Sequence, residues 1–155
     1  MRITHKVDYA VRAMTALARH EAAAPGRPVK REALAAEQAI PPAFLDDILR
    51  SLRNGGLAAS QRGADGGWRL ARPAAEISVA EIIRVVEGPL AAVRGIRPHE
   101  LADDGVPDEM VRLWVATRVA LRSVLDEVTV AHLAAGKLPP KVAKLLDSDD
   151  AWSAR

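Results

Sequence analysis

The chain contains no cysteine, and that absence excludes more function classes than any residue present selects. Without thiolates there is no disulfide, no thiol redox switch, no cysteine-ligated zinc and no cysteine-held iron–sulfur cluster. Aromatic residues are scarce as well, at 3% of 155 positions, while the hydrophobic share is 49% and rests on alanine, leucine and valine. That palette suits close-packed helices rather than a β-sandwich, so a mainly α chain with one core is expected. No long apolar run follows the basic N-terminus, because Asp8, Arg12 and Arg19 interrupt it. Neither signal peptide nor membrane span is expected, which predicts a cytoplasmic protein with no membrane partner. Catalytic patterning is missing too. His5, His20, His99 and His132 stand far apart, and no glycine-rich phosphate loop or nucleophile elbow accompanies them, so the chain is not read as an enzyme.

What is present is an uneven charge distribution. Residues 1–72 hold 12 Lys and Arg against 7 Asp and Glu, whereas residues 73–155 hold 10 against 13. A basic first half beside an acidic second half suits one end facing phosphate and the other facing protein or solvent, although chance asymmetry is common at this size.

The most informative stretch is IPPAFLDDILRSLRNGGLAASQRGADGGWRLAR, residues 40–72. A helix opens on Pro41 and Pro42, carries Leu45, Ile48, Leu49 and Leu52 as a core stripe, and stops at Asn54-Gly55-Gly56. A hairpin follows: Leu57 to Gln61 is extended, residues 63–67 form a glycine-rich turn, and Trp68 and Leu70 alternate with Arg69 and Ala71. The pattern predicts a winged helix-turn-helix with a two-stranded wing. With the stripe inward, Ala43, Asp47, Arg50 and Asn54 point outward, Asp46 and Arg53 lie on a flank, and such a helix fits a DNA major groove. Arg62 and Arg69 flank a turn whose Gly66 and Gly67 would present bare N–H groups to phosphate. A helix followed by a hairpin also suits a protein-interaction module, which stays as the alternative.

Around this element, Thr4 caps a first amphipathic helix ending near His20, with Val7, Ala10, Val11, Met14, Leu17 and Ala18 on one stripe. Arg2, Thr4 and Lys6 cluster at its start, where helix N–H groups attract phosphate. Residues 22–28 read as a connection. Lys30 to Gln38 is a second short helix, with Lys30 and Arg31 where such a helix crosses a DNA backbone. Ser78 and Glu81 make a capping box and Ile77 and Ile82 a hydrophobic staple for a fourth helix, which Gly88-Pro89 ends. Leu90 to Val106 lacks periodicity and reads as a loop. Its His99, Glu100, Asp103 and Asp104 have the chemistry of divalent-metal ligands, but a solvated acidic loop explains them as well, and no metal is assigned. Pro107 to Val128 is the longest helix. Met110, Trp114, Thr117, Leu121, Val124 and Val128 recur at steps of four and three, with Leu113 beside them, and this seam predicts a homodimer; packing on its own domain is the alternative. A short helical turn at 129–135, a helical stretch over Lys141 to Leu146 and a frayed tail starting at Asp147 complete the chain.

Taken together, MRITHKVDYAVRAM, the IPPAFLDDILRSLRNGGL helix, the RGADGGWRLAR wing, ISVAEIIRVVEGPL, and Leu113-Trp114 with VTVAHL resemble the Rrf family of winged-helix regulators, the group of IscR, NsrR and CymR. The resemblance covers almost the whole chain. It implies a homodimeric, cytoplasmic transcription regulator, usually a repressor, binding a palindromic double-stranded DNA operator through two recognition helices and two wings. Base-reading positions would fall near Ala43 and Asp46 and at Arg62. It divides the chain into a DNA-binding domain over 1–88, a sensor-type loop over 89–106, a dimerisation helix with a short following helix over 107–136, and a tail over 137–155. Sensor branches carry three cysteines in the segment that is Arg94 to Pro107 here, and this chain has none, so no cofactor is expected. Asp8 stands where one branch has a ligating carboxylate, though pairing with Arg12 is the plainer role. Ala64-Asp65 replaces a usual Pro-Gly at the wing tip, and Trp68 a usual tyrosine. A small-molecule effector read through Arg94, Arg97, His99 and Glu100 is one expectation; a metal sensed through residues 94–107, and lost sensing that leaves a constitutive DNA binder, are the alternatives.

Overall fold

The computed structural model describes residues 3–153, with the side chains of residues 103, 104, 149 and 150 left aside. Helix α1 (His5–Ala23) begins where Thr4 accepts the Val7 N–H at 3.3 Å. Its alanines decide its place. Ala10, Ala13 and Ala16 are fully buried beside Met14 and Leu17, so burial spreads wider than a single stripe and neighbours approach the backbone closely.

Helix α2 (Arg31–Gln38) and α3 (Pro42–Asn54) are joined at Ala39, which adopts a left-handed conformation (φ 51°) while the Ile40 N–H reaches back to Ala35 O at 3.0 Å. Ile40 is buried and fixes the turn. All four predicted stripe residues of α3 are enclosed.

Strands β1 (Ala58–Gln61) and β2 (Gly67–Leu70) pair antiparallel, Ser60 opposite Trp68. Beyond the expected two strands, Val29 and Trp68 exchange both backbone hydrogen bonds at 2.8 Å, so β2 has the lead-in to α2 on its other side. Helix α4 (Val79–Glu87) has the predicted capping box, and the staple residues Ile77 and Ile82 are fully buried. Burial alone would raise the Glu81 carboxyl, but the Ser78 N–H and the Arg72 guanidinium at 2.7 Å hold it below the usual range.

Leu90 to Val106 is not simply a loop. Pro98–Asp104 forms a 3₁₀ helix closed by Gly105 at φ 72°, and Leu101 within it is fully buried. It packs against α5 (Asp108–Leu125), which is four residues shorter than the predicted Pro107–Val128 span. The chain then returns: Val79 N–H bonds Val128 O at 2.8 Å, Val130 N–H bonds Ile77 O at 2.9 Å, and α6 (Val130–Ala134) lies on α1. Val130 belongs to the main core and Ala134 packs on it, so the end of the 107–136 segment shares a core with residues 1–88. The tail is helical as well, with α7 (Pro140–Ala143) followed by 3₁₀ turns at Lys144–Leu146 and Asp149–Trp152.

Candidate nucleic-acid interface

Because α3 buries one stripe, its opposite surface stays open. Ala43, Asp47, Arg50, Arg53 and Asn54 are exposed there, as expected. Phe44 is exposed too, at 56%, and packs edge-on against Tyr9 with centroids 6.3 Å apart. An open aromatic ring near the start of this helix is suited to a thymine methyl. Phe44 follows Ala43 and lies off the stripe, which was the available signal.

The surrounding charges are mutually engaged to a degree that composition does not reveal. Arg31 reaches Asp46 at 2.7 Å and Glu32 at 2.7 Å, and these carboxylates, Asp46 first, hold it more firmly charged. Asp46 is therefore committed to α2 as well as facing outward. Asp47 and Arg50 lie 3.5 Å apart, and the Lys30 ammonium donates to the Ala64 carbonyl at the wing tip. Arg53 stacks over Trp68 at 5.9 Å from its centroid. Arg62 and Arg69 are exposed on either side of the turn, and neither forms an ion pair among the described residues. The basic surface is thus narrower than a count of cations suggests, with Arg53, Arg62 and Arg69 its least neutralised members.

Some predicted contacts have other roles. Gly66 is buried, its N–H bonds Gly63 O at 3.0 Å, and a Cβ there would lie 2.3 Å from Gln61 O. At Gly67 a Cβ would come within 2.5 Å of Val29 O. Both glycines are required by close backbone approach, and the Gly66 N–H is engaged within the turn. Thr4 is occupied by its cap and by donating to Glu87, while Lys6 is half-buried and Arg2 lies outside the described residues. Asp8 pairs with Arg12 at 3.3 Å, the plainer of its two readings.

On α5 no residue is buried, and Met110 and Leu113 are 47% and 55% exposed. Trp114, Leu121 and Val124 are half-buried. Val128 corrects the seam: it lies past the helix end in a small core with Val79 and Val142, so packing within the chain withdraws it from any partner. In the predicted effector segment, Arg97 lies 3.7 Å from Glu100, and His99 Nδ1 accepts from Arg118 at 3.2 Å. Arg94 stands at φ 54°, a left-handed position set by the Val93–Ile96 turn.

A buried-stripe helix entered by a tight turn, with a hairpin folded against it and cations on the shared face, defines a winged helix-turn-helix protein. The model for Rrf2, described as an iron-dependent transcriptional regulator, matches residues 3–136. The chain belongs to the Rrf2 family of transcriptional regulators. It is 49% identical over 147 residues to a Mycobacterium tuberculosis protein named as an HTH-type transcriptional regulator, covering 95% of this chain and 89% of that one. CymR of Bacillus subtilis is 33% identical over 134 residues, covering 86% and 90%. Among solved structures, CymR of B. subtilis, titled the global cysteine regulator, superposes with a TM-score of 0.69 at 31% identity, covering 88% of this chain and 98% of that one. IscR of T. potens superposes at 0.68 with 29% identity, covering 100% and 93%.

The family description raises iron, and the donor set here does not fit it. The chain supplies no thiolate, and among the described residues no three His, Asp or Glu side chains converge as metal ligands. His99 sits between the Arg118 guanidinium, 3.2 Å from its Nδ1, and Glu100, 3.7 Å from its Nε2.

Proposed function

We propose that the chain is a homodimeric, sequence-specific DNA-binding repressor that works without a cysteine-ligated cluster. The observation that carries this is α3: fully enclosed on one face, open on the other, and flanked by Arg53, Arg62 and Arg69. Insertion of α3 in the major groove would place Ala43, Phe44 and Asp47 toward base edges and the wing arginines on phosphates. The dimer reading is supported by α5, whose Met110 and Leu113 remain exposed within one chain. A two-fold dimer would set the recognition helices about one DNA turn, roughly 34 Å, apart on a palindrome.

Selection of bound duplexes from a random pool should enrich a palindrome. Arg62→Ala should weaken binding to it several-fold with unfolding unchanged, since an exposed wing arginine supplies contacts and not core. Enrichment of no duplex, with no retardation at low salt, would refute DNA binding itself. An unchanged affinity in Arg62→Ala would remove the wing from the interface.

A further inference from the structure

A cleft of about 230 Å³ between α4 and α5 is walled by guanidinium groups from three parts of the chain. Arg84 comes from α4, Arg97 from the lead-in to the 3₁₀ helix, and Arg118 and Arg122 from α5, around Gly88, Pro89 and Leu90. The spacing on α5 explains two of them, since residues four apart share a helix face. That face is turned toward α4, beside the half-exposed apolar seam.

Among the described residues, two carboxylates answer these four cations. Asp126 takes Arg84 at 3.2 Å and Arg122 at 2.8 Å. Burial would raise Asp126, yet the hydrogen bonds from Arg122 and Arg84 bring it below its ordinary value, so it is ionised. Glu100 lies 3.7 Å from Arg97, a loose contact, because one of its oxygens also accepts the Arg97 backbone N–H at 3.3 Å. Among the described residues Arg118 pairs with no carboxylate: its guanidinium donates to His99 Nδ1 at 3.2 Å. Among the described residues the four guanidinium groups thus outnumber their carboxylates by two. Asp126 engages Arg84 and Arg122 closely, whereas among the described residues Arg97 has only the loose Glu100 contact and Arg118 has no acid, and both line the concavity.

We propose that this cleft binds a small dianion of the carboxylate or phosphate class, with Arg97 and Arg118 as its principal ligands and Arg84 and Arg122 held in position by Asp126. Planar guanidinium forks match the paired oxygens of either group, and the cleft suits a dicarboxylate or phosphate in size, not a nucleotide. Because the walls belong to α4 and α5, an anion drawing them together would bias how the winged half sits against the long helix; that consequence, unlike the binding itself, rests on the regulatory reading above.

The test uses the full chain without DNA, so its failure is separate from any failure of operator binding. Calorimetry and thermal unfolding are followed during titration with succinate, citrate, phosphate and sulfate, against sodium chloride of equal ionic strength. Saturable binding of at least one of the four is expected, with a raised Tm; the first pair against the second separates organic from inorganic sources. Arg118→Gln and Arg97→Gln should each weaken it about tenfold, and Arg118→Lys, which keeps the charge, by less. Should Arg118→Gln fold poorly, Arg97→Gln, on an exposed segment, carries the same comparison. Responses no larger than chloride for all four anions would overturn the proposal, as would wild-type affinity in the Arg97→Gln/Arg118→Gln double variant.

Discussion

Leu45, Leu49 and Leu52 on the 13 residues of α3 are wholly enclosed, whereas none of the 18 residues of α5 is buried. Both helices carry apolar residues at steps of three and four, so both look core-facing in the sequence. The difference is in what surrounds them. Helix α3 is covered by α1, α2, α4 and the wing, while α5 meets the body of the chain at its C-terminal end, the 3₁₀ helix and little else. An amphipathic pattern states that a face needs cover without stating whether one chain provides it.

The sharpest way to break this comparison is to truncate one apolar residue in each helix. Leu52→Ala should cost about 2–5 kcal/mol in urea unfolding, through lost burial plus a cavity. Leu113→Ala, assayed at a dilution that favours single protomers, should cost under about 0.5 kcal/mol. Equal costs would mean that α5 is enclosed by its own chain after all. Next in size, Trp114→Asp should raise the dimer dissociation constant by at least about 100-fold, since a carboxylate would be buried without a partner. Sedimentation equilibrium reads this directly, and a monomeric wild type would remove the seam from the proposed function.

A smaller effect concerns the start of α4, which faces both regions. Ser78→Ala should cost about 1 kcal/mol by removing half of the capping box. The box is also acid-sensitive in a defined sense. Glu81 titrates lower in the folded protein than in the unfolded chain, so its contribution is complete above about pH 4.3 and is lost as pH falls through the folded value. Glu81→Gln should flatten that part of the stability–pH curve, and an unchanged curve would show that Ser78 and Arg72 do not hold the carboxylate. The smallest expected change is a gain. Ala39→Gly should stabilise the protein by about 0.5–1 kcal/mol, because alanine at φ 51° is strained where glycine is not; a loss in thermal unfolding would contradict this.

Much of the winged half was legible in the sequence because its signals are local. The α3 stripe, the Ser78–Glu81 box and the glycine-rich wing turn each lie within a few residues and take the conformation their chemistry favours. What escaped was non-local or too short to have a period. The Val29–Trp68 pairing joins segments 39 positions apart and leaves no pattern in either. The 3₁₀ helix at Pro98–Asp104 contributes one enclosed residue, Leu101, between a proline and a glycine that otherwise mark a loop. The interface was legible as a surface but not as a charge distribution. Nothing in the spacing of Arg31 and Asp46, fifteen residues apart, indicates that they neutralise each other. Gly66 and Gly67 stand out in the sequence as bare N–H groups for phosphate, and the structure adds a requirement the sequence does not show, the backbone pressed against them.

The two backbone hydrogen bonds that join Ile77 and Val79 to Val130 and Val128 give α5 a mechanical character. They clamp its C-terminal end to the start of α4, while its N-terminal end lies roughly 27 Å away at 1.5 Å per residue. A rod fixed at one end magnifies rotation. Tilting α5 by ten degrees about that clamp would carry Met110 through roughly 4 Å while Val124 moves by a fraction of an ångström. Any second chain gripping the exposed end would therefore feel a small adjustment at the clamp as a large change of position, and the long helix acts as a pointer whose pivot lies inside the winged half.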